Sequence, residues 1–480
     1  MNDTITENKM GVAPVWSLLL KMSLPVILST AVQALYNIVD GIFVAMISEN
    51  ALSVITYAMP MYTILTAIGT GIAVGMNTML SKALGEKNQK EVNDAASAAI
   101  FLVLLTGILS LLIGFTSLSG IFMNTQTANV EIRNAGVQYL RVYFIFGIGT
   151  ITQLTFERML ISTGKTLYSM ISQAVGAILN IIFDPILIFG MFGFPKMGIT
   201  GAAVATVVSQ MIAAVIALVL NLKKNTEVKL HFTLKPHGYA IRNVLYLGVP
   251  SAVLLALNSF MMFNFNAVLS KFSSTAVAVF GACCRYTHFF YAILNALCST
   301  SIPVIAYNFG AKKKSRIDEA IRYGYLYSMI MMAVGTIVCC GFPAQLLRLF
   351  HATDEMIEIG VVGMRMLCVL YMVTAIRNMS TCVVQALGHS IPSMLVDLSR
   401  NYLVLIPAAW LLSMTGILNM VWLSIPIADF VCAVVGVILI VHYYRKDIKP
   451  LQVEGDIKPL QVEGVVTIRQ VGKNEKSVVL

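Results

Sequence analysis

Charge is scarce in this chain. Asp, Glu, Lys and Arg together make up 12% of its 480 residues, whereas 58% are hydrophobic. A water-soluble fold of that balance would have to hide more apolar surface than its interior can hold, which excludes an ordinary soluble domain. Cysteine is missing from the first half. The eight present (Cys283, Cys284, Cys298, Cys339, Cys340, Cys368, Cys382 and Cys432) fall in apolar stretches without CxxC spacing, so they read as packing residues rather than metal ligands. No HExxH pair and no DDxxD-like cluster lies in an apolar segment, which argues against a membrane enzyme. A phosphate-binding GxxxxGK[ST] loop is also lacking: Gly164-Lys165-Thr166 has Met159 where the upstream glycine is required. An ATP-driven pump is thereby excluded, and no cofactor is implied.

What the sequence has in abundance is long apolar runs. A helix needs roughly 20 apolar residues to cross a hydrocarbon core, and that length recurs between short polar breaks. Spans are predicted near 16–47, 52–80, 95–118, 135–160, 167–190 and 199–221, then 241–270, 275–306, 320–342, 358–386, 392–413 and 418–443. The expected fold class is therefore all-α integral membrane, with twelve transmembrane helices. The opening segment, 1–15, is polar, and the apolar run behind it is too long for a signal peptide, so that run should remain as the first span.

The net charge of +10 does not imply nucleic acid, because the basic residues form no stripe interleaved with aromatics. They alternate between loops. Lys82, Lys87 and Lys90 follow span 2; Lys223, Lys224, Lys229, Lys235 and Arg242 follow span 6; Lys312, Lys313, Lys314 and Arg316 follow span 8. The intervening loops hold isolated charges such as Arg133, Lys196, Lys271 and Arg348. The positive-inside bias puts the lysine-rich loops, and with them both termini, on the cytoplasmic side of the cell membrane. The domain reading is a 1–15 cytoplasmic segment, an N-lobe over 16–221, a cytoplasmic linker over 222–240, a C-lobe over 241–443, and a polar tail from 444 to 480. The tail repeats DIKPLQVEG without a gap and is expected to be disordered.

The two sets of six spans are copies of one plan. A shift of 225 superposes Pro25 on Pro250, Ala51 on Ala276, Gly85 on Gly310 and Lys87 on Lys312. A shift of 224 then superposes Glu131 on Glu355, Gly136 on Gly360, Arg141 on Arg365 and Gly164 on Gly388. An even number of spans per copy makes the repeats parallel, related by an axis along the membrane normal, which is the plan of a V-shaped transporter that rocks around a central cavity.

Three acids break the repeat. Under these shifts Asp40 faces Phe265, Glu157 faces Thr381 and Asp184 faces Ala408. An ionised group at mid-membrane costs about 2.5 to 3.5 kcal/mol on insertion scales, so an acid kept in only one copy needs a local reason, and ion coupling supplies one. Counted from the outer ends of their spans, Asp40, Asp184 and Thr206 share a depth. Asn37 and Asn180 sit on the helical faces of the two acids. Pro185 cannot donate to the Ile181 carbonyl, which leaves a further oxygen free beside Asp184. Such hard oxygens suit Na+, and desolvated carboxyls equally suit H+; the residues leave that choice open. The competing structural role is a polar knot tying spans 1 and 5 together, and for Glu157, nearer the cytoplasmic end, it weighs as much as the functional one. In the second half Asp397 and Arg400, three apart on one helix, are expected to neutralise each other. Arg285, His288, Arg377 and Asp429 fit a cavity-lining and a packed role equally. The GTGIAVG run from Gly69 to Gly75 is read as a close helix contact.

The stretch Leu179 to Gly190, LNIIFDPILIFG, with Gly201 to Gln210, GAAVATVVSQ, resembles the span 5 and 6 signature of the multidrug and toxic compound extrusion (MATE) family. Pro25, Gln33 and Asp40 in span 1 and Leu84 to Asn88, LGEKN, resemble it too, and the likeness covers Trp16 to Tyr443. The absence of acids from span 7 and from the embedded part of span 10 departs from the NorM-like pattern and looks closer to the DinF-like and MepA-like branches. That resemblance implies a coupling-ion site at Asp40, Asn180, Asp184 and Thr206, with Gln33 and Tyr139 in the same cavity. It also implies a bend of span 1 at Pro25, and an attraction of Glu157 for cationic substrates. The expected activity is Na+- or H+-coupled antiport of amphipathic, cationic drugs or toxins by a monomer embedded in lipid. A lipid-linked precursor flippase of the same superfamily is the alternative.

Overall fold

The computed structural model describes residues 8–230, 236–348 and 353–451. The duplicated tail from 452 onward and part of the expected linker lie outside them. A short helix α1 (Lys9–Val12) precedes α2 (Val15–Ala45), α3 (Glu49–Gly85), α4 (Gln89–Phe115) and the brief α5 (Leu118–Gln126). Then come α6 (Val130–Ile145), α7 (Ile148–Ser162), α8 (Thr166–Phe189) and α9 (Ile199–Lys224). The second set is α10 (Gly238–Leu269), α11 (Ser274–Gly310), α12 (Lys314–Gly341), α13 (Pro343–Arg348), α14 (Asp354–Cys368) and α15 (Tyr371–Ala386). It closes with α16 (Ser390–Leu398), a π-helical stretch Ser399–Leu405, α17 (Ile406–Ser413), α18 (Leu418–Trp422) and α19 (Ser424–Tyr443).

The repeat is visible in the punctuation. Ser48 caps α3 by accepting from the Ala51 amide at 3.1 Å, and its mate Ser273 caps α11 by accepting from Ala276 at 3.0 Å. Lys87 and Lys312 both take φ 56° in the turns that follow. Gly164 and Gly388 take φ 82° and 94°, a region that glycine enters freely, between the fourth and fifth spans of each half.

Among the described residues ten helices are long and apolar enough to cross a bilayer, and the pair α14–α15, bent by 41°, forms an eleventh span. The predicted span 135–160 is α6–α7, whose two pieces are short and carry Glu131, Arg133, Arg141, Glu157 and Arg158. It is the repeat mate of the bent pair and completes the twelve. In both copies a hydroxyl from the neighbouring helix donates to a carbonyl at the break: Ser110 Oγ to Phe144 O at 2.7 Å, and Thr336 Oγ1 to Cys368 O at 3.1 Å. Each hydroxyl thereby gives a backbone carbonyl at the break a partner that lipid cannot supply.

Outer faces are apolar. Leu105, Ile108 and Leu112 on α4 and Ile330, Val334 and Ile337 on α12 are exposed at helical spacing, as lipid contact demands. The molecule is a multi-pass membrane protein whose two six-span bundles, among the described residues, are joined at one end. Gly71 and Gly75 of α3 abut the backbone of Gly248 and Val244 on α10. At the position related by the repeat shift, the Ser23 hydroxyl of α2 and the Thr300 hydroxyl of α11 share a hydrogen bond of 2.7 Å. Gly85 packs on the Tyr307 carbonyl and Gly310 on that of Lys82. All these contacts fall in the halves of the helices nearest the lysine-rich loops, so the bundles diverge toward the opposite end and form a V. The glycine run read as a packing motif is part of this seam.

Helix α1 strengthens the closed end. Asn8 Nδ2 donates to Thr163 O of the first bundle and to Glu227 Oε1 in the segment that follows it, both at 3.1 Å. Asn308 Nδ2 and Arg316 Nη2 of the second bundle each reach Met10 O at 3.0 Å. At the other terminus, the helix expected to give way to a polar tail at 444 continues as a π-helical turn through Ile448. That side chain is fully buried and therefore anchors the turn.

Candidate functional site

Three helices of the first bundle place mostly polar residues at intervals of three, four and seven, which is one face of an α-helix. On α2 these are Gln33, Tyr36, Asn37 and Asp40; on α7 Thr150, Gln153, Leu154 and Glu157; on α8 Gln173, Gly176, Ala177 and Asn180. With Tyr62 and Thr66 of α3, Tyr139 and Tyr143 of α6, and Thr206, Ser209 and Gln210 of α9, they line one cavity of about 240 Å³. It lies entirely within the first bundle, and apart from Ile55, Leu154, Gly176 and Ala177 every lining residue carries a polar group, so that about half of the wall surface is polar.

At one end Asp40 and Asp184 bring their carboxyl groups within hydrogen-bonding reach of each other. Two carboxylates cannot bond without a proton between them. Accordingly Asp40 Oδ1 and both oxygens of Asp184 have no donor, and Asp184 is fully buried just behind the cavity wall. Beside them Asn180 donates Nδ2 to Thr206 Oγ1 at 3.4 Å, while Thr206 donates to Ala202 O at 3.0 Å, so the Asn180 Oδ1 is left buried and unpartnered. These oxygens are the hard donors a small cation takes. They include only two carboxylates, and no cluster of three or more His, Cys, Asp or Glu suited to a metal occurs among the described residues. The donor set fits a monovalent ion or a proton.

At the other end Glu157 Oε1 accepts from Gln153 Nε2 at 3.0 Å and from Ser172 Oγ at 3.2 Å. Gln173 Nε2 donates to Gln33 Oε1 at 2.8 Å, forming an amide rung between α8 and α2. Thr150 hydrogen-bonds Gln210. The sequence-derived residues Gln33, Asn37, Asp40, Tyr139, Glu157, Asn180 and Thr206 thus all line the cavity, with Asp184 adjoining it. Pro25 lies well below them inside α2, which is unbroken here. Sequence reasoning missed Tyr36, Tyr62, Tyr143, Gln153, Gln173, Ser209 and Gln210. Extending the Asn37–Asp40 register inward along each span would have found those on α2, α7 and α8.

The second bundle has at the same level a closed network of charge. Thr374, the mate of Thr150, donates from Oγ1 to Asp429 Oδ2 at 3.0 Å. Arg377, aligned with Gln153, pairs with Asp397, aligned with Gln173. Arg400 Nε reaches Asp429 Oδ1 at 2.7 Å. Asp397 and Arg400 attract each other as expected, but their direct contacts go to partners on other helices. The cause is local: the π-helical stretch that begins at Ser399 turns Arg400 away from the α-helical face of Asp397. Arg377 and Asp429 are packed in this network, whereas Arg285 and His288 are exposed on α11.

The MatE family model matches residues 25–186 and again 250–411. The second match is offset from the first, at its start and at its end, by the same displacement that relates the halves. The chain belongs to the MatE family. Among similar MatE-family proteins is the multidrug export protein MepA of Staphylococcus aureus strain MSSA476, 25% identical over 445 residues, 91% of this chain and 95% of the relative. The MepA protein of Staphylococcus haemolyticus strain JCSC1435 is 24% identical over 89% of this chain and 93% of its own length. In fold the chain is similar to a crystal structure of a MATE protein in the straight conformation, with TM-score 0.85 and 22% identity over 93% of this chain and 99% of the other. As a MatE-family member it is a transporter and not an enzyme.

Proposed function

We propose that this transporter exports organic cations by exchanging them for Na+ or H+ across the cell membrane, working as a monomer embedded in lipid. The observation that carries the reading is the facing pair Asp40–Asp184, whose buried oxygens, with Asn180 Oδ1, lack donors. An incoming ion would satisfy them; its departure would leave two acids repelling each other, a change large enough to bias two conformations. Asn180 and Thr206 complete the ion site. Gln33, Asn37, Tyr139 and Glu157 belong to the substrate cavity, where carboxylates and phenol faces attract cations. Filling or emptying of the ion site would bend α2 at Pro25, where the missing amide already weakens the helix.

By the positive-inside bias the closed end of the V is cytoplasmic, both termini are inside, and the described state opens outward. The lobes, 16–221 and 241–443, would rock about the seam and be joined by the linker over 222–240. The lipid-linked precursor flippase draws no specific support: the cavity is acidic, and the matching relatives are named as multidrug export proteins.

The test is efflux of a fluorescent cation from vesicles under an imposed sodium or pH gradient, applied separately. The parent protein should move the cation uphill. Asp40→Asn and Asp184→Asn should each lose gradient-driven transport while eluting and melting as folded protein. Uphill transport retained in both variants would overturn the coupling assignment.

A further inference from the structure

The cavity has acids at both ends and amides between them. Asp40 lies two helical turns beyond Gln33 on α2, and Asn180 two turns beyond Gln173 on α8; the Gln33–Gln173 bond holds the lower rung level. Glu157 is fixed to that lower rung through Ser172. At ~1.5 Å per residue the two acidic ends are therefore separated by about 10 Å. By surface the walls between them are half polar and half apolar, more polar than the mostly apolar lining of a greasy drug pocket. Six carboxamides, four phenols and four aliphatic hydroxyls outnumber the four apolar residues. Two of these polar groups, Asn180 Oδ1 and Ser209 Oγ, belong to side chains at least nine-tenths buried and have no partner.

The second bundle shows what the fold accepts at this level. There the position of Gln153 is taken by Arg377, and its guanidinium lies between Asp397 and Asp429. A nitrogen cation with acids on two sides is thus built into one copy. In the other copy the same space is open, with the acids moved to its ends.

We infer that the cavity takes an elongated substrate carrying an amino group at each end, such as a linear polyamine, with one ammonium at Asp40 and the other at Glu157. The amides and phenols accept from or stack along the chain between them. This rests on the export reading above and specifies its substrate class: a hydrophilic dication, held at two points, is preferred over a lipophilic monocation. Charge-assisted hydrogen bonds are the strong ones, so the second ammonium decides affinity.

The test is competition by α,ω-diaminoalkanes of increasing chain length, and by monoamines of the same carbon count, against gradient-driven efflux of a fluorescent monocation from vesicles. The diamine whose nitrogens span the two acids should compete about tenfold better than its monoamine, the worth of one hydrogen bond to a charged group. Shorter diamines should gain nothing. Glu157→Gln should bring the diamine-to-monoamine ratio toward one, and Glu157→Asp, which retains the charge but withdraws it, should shift the preferred length upward. Competition that follows carbon count alone, or a ratio unmoved in Glu157→Gln, would overturn the two-point site while leaving export standing. If no cation is moved by any gradient, the export reading fails and this inference with it.

Discussion

At Gly85 a Cβ would lie 1.9 Å from the Tyr307 carbonyl oxygen, and at Gly310 2.2 Å from that of Lys82. Both obstacles are backbone, which cannot rotate aside, so a methyl group there pushes two bundles apart. Gly85→Ala should destabilise the protein by about 1–3 kcal/mol, the usual cost of overpacking. Gly281→Ala, with nothing within 4 Å of its Cβ, should not lower the melting temperature measured in detergent. The same grain of detail separates what could and could not be read at the site. Asp40, Asp184 and Glu157 stood out because charge in an apolar span is costly. Gln153 and Gln173 could be reached only by extending the register of those polar residues along their helices, and Gln210 not at all, since a neutral amide gives no sign of which neighbour it meets.

Elements carry the next level. The charged network around α15 and α19 looks from sequence like scattered anomalies, yet it is the counterpart of the cavity rungs, with Arg377 and Asp397 replacing Gln153 and Gln173. Removing one partner of a buried ion pair leaves the other charge uncompensated, at about 3–5 kcal/mol. Arg377→Ala should therefore lower the detergent melting temperature sharply. Arg377→Gln combined with Asp397→Gln places at both positions the neutral amides that the first bundle carries there and should recover much of that loss. An outcome in which the double variant is no better than the single would show that the network does not behave as a pair. The π-helical stretch Ser399–Leu405 explains why the expected pairing of Asp397 with Arg400 does not dominate: an i, i+3 rule holds only while the helix is α.

For the whole molecule, the seam between bundles is the part that must open if access alternates. Ser23 and Thr300 touch across it through hydroxyls 2.7 Å apart. The pair Ser23→Cys with Thr300→Cys should form an oxidant-dependent cross-link that abolishes transport and is reversed by reductant. Each single variant and the parent, whose eight cysteines are free and seven of them buried, should be unaffected by the same oxidant. Transport that continues with the cross-link formed would show that this seam does not open.

The sequence by itself determined the solvent, because 58% hydrophobic residues with 12% charged can be buried only in lipid. It also determined the twofold plan, because repeated glycines, prolines and caps dictate repeated backbone geometry. Tertiary structure decided which polar groups share a space. Helical periodicity shows which residues lie on one face, but it says nothing about which helix that face meets. Only the packing of α2, α7 and α8 brought their amides and acids around one cavity, while the same crossing in the second bundle closed on its own arginines.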